Sequence, residues 1–155
     1  MDGARGELNR QVALKFLPSS LWNEANAQQR LVREAQAASK FDHPNIVTIY
    51  DAGEEHDLAY IAMELLNGRD LREFCRKDNL LTPQRVLAVG ASVAEALAYA
   101  HQQGVVHRDI KPANIILLEN DQIKVADFGI ARVMSSSTKT QTGVIFGTPN
   151  YMSPE

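Results

Sequence analysis

Short apolar runs alternate with two stretches of helical period along this 155-residue chain. Val12-Ala13-Leu14-Lys15-Phe16-Leu17 is the first run, strand-like, with a lysine among apolar neighbours. From about Glu24 to Lys40 the period changes. Leu31, Glu34, Ala35 and Ala38 fall at i, i+3, i+4 and i+7 and share the face that turns toward a core. Ile46 to Tyr50 and Leu58 to Met63 are apolar runs again, and the acidic stretch from Gly53 to Asp57 between them reads as a hairpin turn. Thr82-Pro83 opens a second helix, threonine as N-cap and proline at the first helical position. Val86, Leu87, Val93, Leu97 and Ala100 carry its period to about Gln103, where Gly104 is a natural stop. A helix so apolar and alanine-rich is expected to be mostly buried.

The chemistry lies beyond that helix. His107-Arg108-Asp109-Ile110-Lys111-Pro112-Ala113-Asn114 is followed by Asp127-Phe128-Gly129. Each motif alone reads as a surface turn. As a linked set they bring two carboxylates, an amide and a lysine to what a phosphoryl-transfer site needs, which is positioning and charge neutralisation more than covalent help. The set resembles the catalytic loop and metal-binding motif of eukaryotic-type (Hanks-type) serine/threonine protein kinases, in a bacterial-like style, with Ile110 in place of the usual leucine. Val12-Ala13-Leu14-Lys15 is similar to the strand that carries the family's phosphate-contacting lysine. Glu34 stands where the family places the helix glutamate that pairs with it.

The resemblance implies roles for particular residues. Asp109 would take or orient the proton of a substrate hydroxyl. Asn114 and Asp127 would hold Mg²⁺, a hard cation that binds through few protein oxygens plus phosphates. Lys111 would reach the transferring phosphate, and its presence points to serine/threonine substrates. Lys15, Ala13, Met63, Glu64, Leu66, Asp70, Ile116 and Asp127 would form the ATP site, with Met63 as gatekeeper, the backbone of Glu64 and Leu66 on the adenine edge and Asp70 near the ribose. An ordinary turn explains Met63 to Gly68 equally well. His43, before Pro44-Asn45, is read as structural. His101 is read as a packing or capping residue. His107 is expected to pack on Phe128 with Ala38 and Ile49. Between Ile130 and Phe146 the chain is polar and rich in hydroxyls. Thr140 and Thr142 would be regulatory phosphosites there and Arg108 the residue that holds the phosphate, while Thr148 would touch Asp109 and Lys111.

The fold implied by the resemblance is α+β, a protein-kinase-like, two-lobed one in partial form. It comprises an incomplete N-lobe sheet with its helix and the hinge in residues 1–66, then the first part of a helical C-lobe through the activation segment in residues 67–155. Gly3 and Gly6 do not make the family's G-x-G-x-x-G, and Ser153-Pro154-Glu155, similar to its A-P-E, is the last tripeptide. The chain therefore reads as a kinase domain cut at both ends. A pseudokinase or regulatory binding module, or an inactive truncated fragment, is the alternative to an active enzyme. The implied partners are proteins bearing Ser/Thr, including a second copy for autophosphorylation. A net charge of −3 gives no electrostatic case for nucleic acid. A single cysteine, Cys75, suggests a reducing compartment, and no apolar run reaches transmembrane length, so a cytoplasmic setting is expected.

Overall fold

The computed structural model describes residues 10–18, 27–55, 58–128 and 149–151. Strands β1 (Val12–Pro18), β2 (Ile49–Glu55) and β3 (Leu58–Glu64) form an antiparallel sheet in the order β1-β3-β2. Helix α1 (Ala27–Ala38) lies across β2 and β3. Period-2 alternation explains the central strand: Ala59 and Ile61 are buried, and they meet Ala35 of α1 and Ala52 of β2 in one apolar cluster. Small alanines at that contact let helix and sheet approach closely. On β1 the odd logic runs outward, and Val12, Leu14 and Phe16 are exposed.

A second sheet follows in the order β4-β5-β6, from β4 (Gly68–Asp70), β5 (Ile115–Leu118) and β6 (Ile123–Val125). Gly68 is required in β4: a Cβ there would stand 2.5 Å from the carbonyl oxygen of Leu117 on the neighbouring strand. Helix α2 (Pro83–Gln102) packs against β6. Its start is as expected, with Thr82 Oγ1 accepting from the Arg85 N–H. Its end is a Schellman cap, in which the N–H of Val105 reaches Ala100 O and that of Gly104 reaches His101 O, with Gly104 at φ 76°. The two sheets are joined by the segment before β2. Ile46 bridges Val125 in parallel, Val47 N–H donates to Val125 O, and Val125 N–H donates to Asn45 O. The larger core gathers here, from Ala38, Phe41, Ile46, Ala96, Ala100, Ile115, Leu117, Ile123, Val125 and Phe128.

Three expectations are corrected. The β2–β3 ladder runs out to Glu55↔Leu58, so Gly53 to Glu55 are strand and not turn, and the connection is shorter than the acidic stretch suggested. The strand begins at Ile49 and not Ile46, because the backbone of residues 45–47 is spent on β6. Helix α2 is not mostly buried: Ala96 and Ala100 are its buried residues, while Val86 and Leu87 are 54% and 75% exposed. Helical period shows which residues share a face but not whether anything covers it. His101 is exposed in the last turn, where its carbonyl accepts the Gly104 N–H of the cap. Residues 24–26, where the first helix was expected to begin, lie outside the described residues.

Candidate active site

The loop that leaves α2 is built around His107, whose ring is 1% exposed. Its Nε2 lies 2.8 Å from Ala126 O and its Nδ1 accepts from the Asp109 N–H at 3.2 Å. A neutral ring with the proton on Nε2 satisfies both contacts. Burial lowers the His107 pKa below its ordinary value of 6.5 and outweighs the opposing pull of Ala126 O, Asp109 and Asp127. One face of the ring meets Phe128 edge-on, centroids 4.7 Å apart, and Phe128 packs in turn on Phe41. The expected packing of His107 and Phe128 with Ala38, and with partly buried Ile49 beside them, is therefore present.

This buried ring sets the positions of the polar groups in front of it. Asp109, whose side chain is 12% exposed, pairs with Lys111 at 2.8 Å. Asn114, buried in the 3₁₀ turn Pro112–Asn114, donates from Nδ2 to Asp109 O at 2.8 Å and to Asp109 Oδ2 at 3.3 Å. Its own carbonyl accepts from Ala126 N–H at 2.8 Å, so the loop is tied to the segment that carries Asp127. Two residues of this site stand in the left-handed backbone region, Arg108 at φ 69° and Asp127 at φ 62°. Non-glycine residues pay for that conformation and keep it only where surrounding contacts enforce it.

Asp127 meets the first sheet. Lys15 Nζ, from β1, donates to Asp127 Oδ1 at 2.9 Å, with the two side chains 35% and 31% exposed. The sequence assigned that cation to Glu34, and the structure gives it to Asp127. Glu34 sits on α1 beside buried Ala35, and its Oε2 is itself buried. Met63 at the end of β3 shares a small apolar cavity with Asp127, Phe128 and Val125. Ala13 faces Met63 across the β1–β3 ladder, and Ile116 pairs with both Asp70 and Lys124 in the second sheet. Leu66 lies in the irregular stretch between β3 and β4. Asp70, expected beside a ribose, caps the 3₁₀ turn Leu71–Cys75 and holds the Arg72 guanidinium through two 2.8 Å bonds, which draw its pKa down. Arg108 is exposed. Thr140, Thr142, Thr148 and Ser153-Pro154-Glu155 lie outside the described residues.

The donor set fits a hard cation. Asn114 commits its Nδ2 to Asp109, which leaves the amide oxygen as the end available to a metal, and Asp127 offers a carboxylate. Among the described residues no three His, Cys, Asp or Glu side chains cluster as a ready-made cage. A cation here would complete its shell with phosphate and water, as Mg²⁺ does. Sequence reasoning missed one pair behind this site. Lys124 Nζ on β6 donates to Glu64 Oε1 at 2.8 Å. Lys124 alternates with buried Ile123 and Val125, and nothing in that pattern named its partner 60 residues earlier.

Comparison with known proteins agrees with this geometry. The protein kinase domain matches residues 2–155. The chain is 47% identical over 148 residues to the serine/threonine-protein kinase PrkC of Bacillus subtilis, covering 96% of this chain and 23% of the relative. It is 42% identical over 154 residues to the serine/threonine-protein kinase PknB of Mycobacterium tuberculosis, covering 96% and 25%. It thus spans about a quarter of the length of these curated relatives. The crystal structure of the Mycobacterium tuberculosis PknI kinase domain superposes with a TM-score of 0.69 at 40% identity, covering 77% of this chain and 50% of that one. With the loop, the two carboxylates and the strand lysine arranged as described, the chain belongs to the protein kinase domain family and has that fold in partial form.

Proposed function

We propose that the chain is the central part of a serine/threonine protein kinase, which transfers the γ-phosphate of ATP to Ser/Thr hydroxyls of proteins. The observation that carries this reading is the meeting of Lys15 and Asp127, 112 residues apart, in front of the Asp109–Lys111–Asn114 cluster. Residues 1–66 would supply the smaller lobe and hinge and residues 67–155 the larger lobe through the activation segment.

Each group has work to do. Asp127 and the amide oxygen of Asn114 would hold Mg²⁺, which would supply neutralisation of phosphate charge when bound with ATP. Lys15 would leave Asp127 for the α- and β-phosphates of the nucleotide, a move that a pair about a third exposed permits. Glu34 is the carboxylate on α1 toward which that lysine is drawn. Ala13, Met63, Ile116, Leu66 and the backbone of Glu64 would enclose the adenine, with Asp70 at its ribose side. Asp109 would accept the proton of the incoming hydroxyl as its oxygen bonds to the γ-phosphorus and the bond from that phosphorus to the β,γ-bridging oxygen breaks, with ADP as the leaving group, and Lys111 would share the charge on the transferring group. Arg108 would hold a phosphate on Thr140 or Thr142 and so order the segment between Asp127 and Pro149. Protein substrates, and a second copy of the chain for autophosphorylation, are the partners implied. A single free cysteine, Cys75, suits a reducing, cytoplasmic setting. Among the described residues no helix is long and apolar enough to cross a membrane.

Two substitutions in the full-length protein separate the roles. Asp109→Ala is expected to lower phosphate transfer at least about a hundredfold while Mg-ATP affinity holds, because the base acts on the hydroxyl. Asp127→Ala is expected to lower both. Near-normal turnover by Asp109→Ala would remove that residue from the chemistry.

A further inference from the structure

The Lys124–Glu64 pair differs from a surface ion pair in how fully it is built into main chain. Glu64 Oε1 accepts from Lys124 Nζ at 2.8 Å and from the Thr48 N–H at 2.7 Å. Lys124 Nζ also reaches Ile46 O at 3.3 Å, and the Glu64 N–H donates to Thr48 O at 2.9 Å. The side chains are only 15% and 20% exposed. Charge-assisted bonds to backbone at this burial fix geometry as well as contributing energy.

What the pair connects gives it a role. Glu64 ends β3 and is the residue whose backbone the nucleotide reading places on the adenine edge. Lys124 lies on β6, whose extended chain delivers Asp127 three residues later, about 10 Å on at strand rise. The far end of β6 is held as firmly. Ala126 N–H donates to Asn114 O, and Ala126 O receives His107 Nε2. Lys124 is therefore the tie between the two places a nucleoside triphosphate must touch at once, the base end at Glu64 and the phosphate end at Asp127.

We infer that Lys124, through Glu64, is a positioning residue that sets the spacing between the adenine-binding backbone and the phosphate-binding carboxylate. This rests on the nucleotide reading above and adds a residue to it. A ligand that spans both ends depends on the tie, whereas one that touches only the base end does not. Binding of Mg-ATP and of adenosine to the full-length protein, unsubstituted and with Lys124→Met, tests this.

The expected result is Mg-ATP affinity about tenfold weaker in Lys124→Met, within the range of site-to-site coupling, and adenosine affinity changed less than about twofold. Lys124→Arg, which keeps the cation, is expected to return Mg-ATP affinity to within about twofold of the unsubstituted protein. In saturating Mg-ATP the turnover of Lys124→Met stays near normal, because the tie acts on binding and not on the hydroxyl. If Lys124→Met does not melt cooperatively, Lys124→Gln is measured in the same way, since it keeps a donor for Glu64 and removes the charge. Equal weakening of both ligands, or unchanged Mg-ATP affinity, overturns the inference. Failure of the unsubstituted protein to bind Mg-ATP overturns the nucleotide reading instead.

Discussion

Lys15 and Lys124 each reach across the fold to a carboxylate, yet the two pairs are built differently. The Lys15–Asp127 pair is about a third exposed and is a single 2.9 Å contact between side chains. The Lys124–Glu64 pair is sunk and reinforced by the backbone of Thr48 and Ile46. The same contrast runs through the whole site. Lys111, Lys15 and Asp127 form a front of charged groups that solvent can reach in part, while Asp109 beside them is as covered as the Lys124–Glu64 pair. Behind them His107, Phe128 and β6 form a backing that is packed and hydrogen-bonded. Groups that must change partners during a reaction are held loosely. Groups that must not move are saturated.

The contrast can be broken from the front first. Lys15→Met is expected to cut phosphate transfer at least about a hundredfold, as loss of a preorganised charge in a catalytic site does. Its stability should change by no more than about 1 kcal/mol, the scale of an exposed pair. Turnover and denaturant melts of the same preparation check both halves. A variant that loses stability more than activity would erase the distinction between front and backing.

The backing answers to proton concentration. Because burial depresses the His107 pKa in the folded state, the unfolded chain binds the proton more readily. The stability that neutral His107 contributes is complete above 6.5, its ordinary value, and is lost progressively as pH falls below it. Unfolding free energies at about pH 7 and about pH 5.5 should therefore fall more for the unsubstituted protein than for His107→Gln, which keeps hydrogen-bonding groups but does not titrate in that range. A steeper fall in the variant would contradict the buried neutral ring.

The smallest effect is expected away from both regions. Leu87, 75% exposed on α2, belongs to neither front nor backing. Leu87→Gln should change stability of residues 1–155 by no more than about 0.5 kcal/mol. A cost of about 2 kcal/mol or more, as for a core position, would mean that something covers this face.

Much of this was legible in residue order because the chemistry sits in short contiguous motifs. His107 to Asn114 and Asp127-Phe128 named the site, and Thr82-Pro83 and Gly104 named the ends of α2 through local capping physics that needs no tertiary contact. What was not legible depends on partners distant in sequence. The residue pattern gave Lys15 to Glu34, and only the fold places Asp127 within 2.9 Å of it. The Lys124–Glu64 tie has no motif, since a lysine in an alternating strand looks like any outward residue. The positive φ of Arg108 and Asp127 likewise left no glycine or asparagine to announce it.

The central claim is tested most directly by following the γ-phosphate itself. The full-length protein would be given Mg²⁺, ATP labelled at the γ-phosphate, and matched peptides bearing serine, threonine or tyrosine at one position. The predicted result is label on the serine and threonine peptides, little on the tyrosine peptide, and loss of transfer in Asp109→Ala with nucleotide still bound. Nucleotide binding without transfer in the unsubstituted protein, or equal labelling of all three peptides, would contradict a serine/threonine kinase site built on Asp109 and Lys111.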